Sequence, residues 1–268
     1  MARTARQDGL NRLYHYQDFN AEYLRDILTN RRLYCSDPAK LNDPWDCRPW
    51  FSHSALDEPP VIEEFIEWVF SSKPTSPVSD EQAAATKSAI RNLPEYRHGL
   101  LASFSNNFLE MIPSRWKIYS LTPHPDSTLM WSHYGGDHRG ICLEFDVGDD
   151  VIGSAQPVRY LSSYPSWTPQ SLAENGIEIL LTKSSDWQYE HEYRVIALAE
   201  GVERQVKEHP LLLKGSYLGI TNASLRSIIA GCEADFDLTK CVVEKCSPET
   251  PIRRAVRAVD KFKLEVGS

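Results

Sequence analysis

The sequence predicts an α+β fold, with mainly antiparallel sheets, flanking helices and a helical insert over 59–93 within a single domain spanning 1–268. Three observations predict it. Short aromatic and β-branched stretches such as "LYHY", "KIYSLT" and "GICLEFDV" have strand length and strand composition. Helical spacing of apolar residues is strongest just after the first of these and again in "PPVIEEFIEWVF". Past residue 93 the pattern changes from helical to mostly strand-like.

The elements follow in order. "LYHY" is a first strand, placing Leu13 and His15 on one face and Tyr14 and Tyr16 on the other. "DFNAEYLRDILTNRRL" is a helix capped by Asp18 or Asn20, with Leu24, Ile27 and Leu28 as its apolar stripe. "LYCSD", containing Ser36, is a second strand, and "PAKLNDPWD" is a turn-rich loop. In the insert, prolines open a helix, "SSKPTSP" is a linker, and Ser79 with Gln82 has capping-box spacing. "GLLASF", "KIYSLT", "GICLEFDV" and "PVRYL" are expected as strands, "ENGIEILLT" as a helix and "YEHEYRVIALAE" as a strand. "YLGI", a helical "TNASLRSII" and "VVEKC" make a last α/β segment.

Composition narrows the class of function. The net charge is −8 and the pI about 5.5, a balance that disfavours strong non-specific nucleic-acid binding, which needs phosphate neutralisation. No apolar run has the length of a membrane span, and "MARTARQDGLN" lacks the apolar core of a signal peptide, so no membrane and a cytoplasmic location are expected. The six cysteines form no C-x-x-C pair, which argues against structural zinc and a disulfide framework; no metal is expected.

Several clusters could carry chemistry. Strand alternation through "DWQYEHEYRVIAL" puts Glu190, Glu192 and Arg194 on one face. That row is either a solvated ion-paired face or a site in which one carboxylate holds a ligand hydroxyl and Arg194 fixes the other. His15 is a lone histidine on a strand. Asn42, Asp43 and Asp46 sit in the turn "NDPWD", where Asn and Asp commonly bond their own backbone. "LMWSHYGGDHRG" offers no zinc or serine-hydrolase pattern. It leaves Trp131 and Tyr134 as an aromatic wall beside a Gly135–Gly136 hinge, with His133 in support.

"LYHY", "LYCSDPAKLNDPWD", "SLTPHPDSTLMWSHYGGDHRGICLEFD", "VRYL" and "LTKSSDWQYEHEYRVI" stand in the order of a bacterial family catalogued as domain of unknown function 2971, which the chain resembles from about Leu13 to Ile196. Its MW-x-H-Y and W-x-Y-E-x-E-x-R motifs are specific. Two positions depart from that family's pattern: His15 stands where lysine is common, and Gly135 where alanine is usual. The opening strand, helix and "LYCS" also resemble the ADP-ribosyltransferase superfamily, in its His-Tyr-Glu branch. That resemblance implies an ADP-ribosyltransferase-like fold and NAD as substrate. It implies catalytic roles for His15 (ribose and nicotinamide amide), Tyr134 or Trp131 (stacking on nicotinamide) and Glu190 or Glu192 (ribose hydroxyl). Trp131, His133, Arg194, Ser36, Asn42, Asp43 and Tyr16 are the candidate substrate-binding residues around them. The acceptor would be a protein or nucleic acid, and the biological role that of a toxin or phage-defence effector.

Two other functions remain open from the sequence. A nuclease would use Asp43, Glu190, Glu192 and His133 as acid–base or metal groups. A non-catalytic sensor or binding module would grip its ligand with the aromatic turn, the carboxylates only pairing with Arg194 and Lys183.

Overall fold

The computed structural model describes residues 3–71, 79–200 and 211–267. In chain order the elements are β1 (Arg12–Gln17), α1 (Ala21–Asn30), β2 (Arg32–Tyr34), α2 (Pro59–Ser71), α3 (Asp80–Asn92), α4 (Pro94–Arg115), β3 (Trp116–Leu121), α5 (Thr128–His133), β4 (Ile141–Asp146), α6 (Asp150–Gly153), β5 (Gln156–Pro157) and β6 (Arg159–Leu161). They continue with α7 (Pro169–Asn175), β7 (Thr182–Ser184), β8 (Tyr193–Leu198), β9 (Tyr217–Gly219), β10 (Leu225–Ala230), α8 (Phe236–Cys246), β11 (Ile252–Arg257) and β12 (Leu264–Val266).

The sheets are antiparallel-rich. A five-stranded sheet runs β1-β4-β10-β11-β12 and a three-stranded one β3-β8-β5, with the pairs β2-β9 and β6-β7 beside them. β10–β11 and β6–β7 are parallel; the other pairs are antiparallel. Single bridges, Tyr14 to Thr122 and Ser36 to Ile118, tie β1 and the end of β2 to β3. β3 and β8 form a shared wall. Tyr119, Leu121, Val195 and Ala197 face a core built with α1, β1 and β4, while Ile118 and Ile196 face a second cluster formed with α2, α3 and α4. Alternation along each strand produces this division, because neighbouring side chains leave opposite faces.

Local chemistry explains the helices that the sequence made legible. Asn20 is the cap of α1, its side chain accepting from the Glu22 and Tyr23 amides at 2.9 and 3.1 Å, and Leu24, Ile27 and Leu28 are its buried stripe. Ser79 and Gln82 form the expected capping box of α3.

Four segments differ from expectation. "GLLASF" lies inside α4, so the helical insert continues past 93 to Arg115; a short apolar run of Leu and Ala suits a helix as well as a strand. "TNASLRSII" is not helical. Its second half is β10, hydrogen-bonded between β4 and β11, with Ile228 and Ile229 fully buried. "VVEKC" ends helix α8, and "ENGIEILLT" becomes the 3-10 turn Gly176–Leu181 between α7 and β7. Of the linker "SSKPTSP", all but Ser71 lies outside the described residues.

Candidate functional site

The strand expected over "YEHEYRVIALAE" begins only at Tyr193. Ser185–Glu190 is a 3-10 turn, and His191 closes it in the left-handed region at φ 45. This reversal, not strand alternation, puts Glu190 beside Glu192. Both are almost fully buried, at 2% and 5% exposure. Lys183, from β7, reaches both with its ammonium: Nζ lies 2.5 Å from Glu190 Oε2 and 3.3 Å from Glu192 Oε2.

Arg194 is wholly buried. Its guanidinium donates to both Glu192 oxygens at 2.8 Å, to Asp46 Oδ1 and Oδ2 at 2.8 and 2.5 Å, and to the Leu180 carbonyl at 2.7 Å. It is therefore a clamp on two carboxylates. Burial works to raise the Glu192 pKa, but Arg194 and Lys183 outweigh it and hold Glu192 below the usual carboxylate range. Burial and the neighbouring Glu192 charge push Glu190 above it, against the pull of Lys183. For Lys183 the two glutamates overcome burial and raise the ammonium pKa.

The remaining oxygen of Glu190 faces Tyr134, which follows α5. Tyr134 Oη donates to Glu190 Oε1 at 2.5 Å and accepts from Asn42 Nδ2 at 3.0 Å. Burial and the Glu190 charge raise the phenol pKa, so Tyr134 stays protonated as a donor. These residues line a cleft of about 90 Å³ together with His15, Tyr16, Met130 and Ser120. His15 stacks on Tyr119 at 4.2 Å between centroids, and its Nδ1 is 2.7 Å from the Ser120 carbonyl oxygen. A carbonyl only accepts, so Nδ1 carries the proton and Nε2 is left as an acceptor. Burial pushes the His15 pKa down to about 4, which keeps the ring neutral.

Of the expected site residues, the fold brings His15, Tyr16, Asn42, Tyr134, Glu190, Glu192 and Arg194 to one cleft. Others are elsewhere. Trp131 is no ligand-facing wall: it is fully buried, edge-on to Tyr16 at 5.0 Å, with Nε1 donating to the Pro125 carbonyl. Tyr16 is itself mostly core, its hydroxyl given to the His124 carbonyl at 2.7 Å. His133 is exposed and lies near Trp187 and Tyr189, outside the cleft lining. Asp43 is also outside the lining; its Oδ1 accepts from the Trp45 amide, as turn chemistry dictates. A nuclease built on Asp43, Glu190, Glu192 and His133 lacks their convergence. Ser36 lines a neighbouring cavity that also contains His15.

Gly135 and Gly136 form a tight turn rather than a hinge. Gly136 has φ +56, and a Cβ on Gly135 would stand 2.6 Å from the Trp131 ring. The candidate site residues read from the sequence omitted Asp46 and Lys183, although the binding-module reading already paired the carboxylates with Lys183, as the structure does. Their signal was present: a lysine seven residues before Glu190 and an aspartate in a loop otherwise explained by its own turn. Nothing local indicates that either would be buried.

No curated protein and no solved structure matches the chain. A family described as "Protein of unknown function (DUF2971)" has a model that matches residues 130–195, about a quarter of the chain. The matched stretch contains Met130, Tyr134, Lys183, Glu190, Glu192 and Arg194, six residues of the cleft. This match supports placing the chain in that family.

Proposed function

We propose that the cleft binds NAD and breaks its nicotinamide–ribose bond, passing ADP-ribose to a protein or nucleic-acid acceptor or to water. The observation that carries this is the meeting of His15, Tyr134 and Glu190 in one cleft from three distant parts of the chain, with Tyr134 and Glu190 in direct contact. In the reaction the bond from the anomeric carbon to the ring nitrogen breaks, and its electron pair leaves with neutral nicotinamide. The acceptor's nucleophile then bonds to that carbon and loses its proton. The transient carbon centre is oxocarbenium-like, and a carboxylate held against the ribose hydroxyl stabilises it.

Glu190 takes that role because Glu192 is fully engaged by Arg194 and Lys183. Neutral His15 offers an acceptor to a ribose hydroxyl or a carboxamide N–H. A cleft of about 90 Å³ is smaller than the roughly 150 Å³ cavity that holds benzene. Nicotinamide therefore enters as Tyr134 leaves Glu190 and turns its ring to the ligand, and the ribose hydroxyl replaces the phenol on Oε1.

Incubating the protein with NAD, alone and with lysate, and measuring nicotinamide release tests the proposal. Release by the wild type, reduced in Glu190→Gln and Tyr134→Phe, is expected. No release together with no NAD-dependent rise in Tm overturns it. One observation favours a second function, a binding module without turnover: both oxygens of Glu190 already have partners within the protein. It predicts that NAD raises Tm and is recovered intact.

A further inference from the structure

A second cavity, of about 380 Å³, opens on the other side of His15 between β1, α1, β2 and β9. Its mouth carries Tyr23 and Tyr34, large aromatics that are 66% and 52% exposed. Tyr34 meets Tyr217 edge-on at 5.7 Å, and the central carbon of the Arg32 guanidinium lies over the Tyr217 ring, 4.0 Å from its centroid. Asp26 fixes that guanidinium through both of its oxygens, at 2.7 and 2.9 Å. The cavity wall thus presents the exposed Tyr34 ring, set edge-to-face against a Tyr217 ring that the Arg32–Asp26 ion pair backs.

A separate observation points to a ligand. Two polar atoms of residues lining this cavity, Gln17 Nε2 and Tyr119 Oη, are buried with no hydrogen-bond partner. Unsatisfied buried groups of this kind are rare and call for an explanation. Both are donors, so the missing partner supplies acceptors. An aromatic hydrocarbon has none, and an indole offers only a donor. A purine is flat, suits tyrosine faces, and carries several ring nitrogens that accept. The cavity is also more than twice the roughly 150 Å³ that benzene fills, which leaves room for a bicyclic ring and part of its sugar.

We infer that this second cavity binds the purine ring of a nucleoside or nucleotide, Tyr34 stacking on the base and Gln17 and Tyr119 donating to its ring nitrogens. His15 lines both cavities, so a dinucleotide with a flat ring at each end spans them. That extension, which makes the substrate an adenine dinucleotide rather than a nicotinamide mononucleotide, rests on the NAD cleavage proposed above. The purine site itself stands on this cavity alone.

Adenosine and cytidine, titrated by calorimetry and by thermal shift, test it. Adenosine is expected to bind and raise Tm while cytidine does neither. Tyr34→Ala and Tyr119→Phe are each expected to weaken adenosine by about tenfold, the size of one hydrogen bond or one stacking face. Tyr119→Phe deletes the orphaned hydroxyl without emptying the core, so its unliganded Tm is expected to stay level or rise. No adenosine binding, equal binding of cytidine, or unchanged affinity in both variants overturns the inference. Adenosine binding without nicotinamide release retains the purine site and removes NAD cleavage; release without adenosine binding does the reverse.

Discussion

Glu190 and Glu192 share one ammonium and stand two residues apart, yet their surroundings divide their work. Glu192 balances a guanidinium that has no access to water. Taking its charge away leaves that guanidinium partly uncompensated, and breaking such a buried pair costs about 3–5 kcal/mol. Glu192→Gln is therefore expected to lower the urea midpoint sharply. Glu190→Gln is expected to keep the fold, with a fall in nicotinamide release of about a hundredfold, the usual scale for one lost electrostatic contact to a transition state. Equal loss of stability in the two variants would contradict the division. His15 adds a pH dependence. Its pKa is about 4 when folded against 6.5 as the ordinary value, so the unfolded chain takes up a proton first as pH falls. The stability of neutral His15 is fully present above 6.5 and is lost on the way down to 4, by up to about 3 kcal/mol at roughly 1.4 kcal/mol per unit. Urea melts across that range are expected to show the loss in the wild type and a flatter profile in His15→Asn. At this scale the grouping of the glutamates, Tyr134 and His15 in one cleft is the one that the His-Tyr-Glu resemblance implies. The burial of Lys183 and Asp46 was not legible, because long-range packing alone removes them from water.

Elements were legible where local chemistry decides them. α1 has a cap and a stripe in its own sequence, and Asn20→Ala is expected to cost about 1 kcal/mol, read as a lower Tm with the fold retained. α3 likewise has its capping box. β10 was illegible for the opposite reason: "SLRSII" has no period of its own, and its strand state comes from hydrogen bonds to β4 on one side and β11 on the other. The run over 190–194 is an instructive case. Alternation grouped Glu190, Glu192 and Arg194 correctly, but through a strand that does not reach Glu190. The left-handed His191 does it instead. A β-branched residue is strained in that region, so His191→Val is expected to move Glu190 and abolish nicotinamide release, whereas His191→Gly retains it.

At the scale of the whole molecule, the β3–β8 wall is covered on both faces, and α2, α3 and α4 are more than an appendage. Ile118 and Ile196 pack under them. Deleting Pro59–Arg115 is expected to leave an aggregating remainder without a cooperative melt, since apolar sheet surface is then open to water. A soluble, cooperatively folding remainder would show that the main core stands alone. The antiparallel-rich α+β class was readable because strand and helix patterns occupy separate stretches. The partition into two cores was not, because it depends on which strands share a wall. The buried charges have a final consequence. Among the described residues Asp46, Glu190 and Glu192 form ion pairs with Lys183 and Arg194 alone, so three carboxylates are opposed by two cations. Under the proposal that the ligand is NAD, its positively charged nicotinamide ring supplies the missing cation. Affinity for NAD is then expected to fall as Glu190 takes up a proton at acidic pH, a loss that calorimetry across a pH series detects.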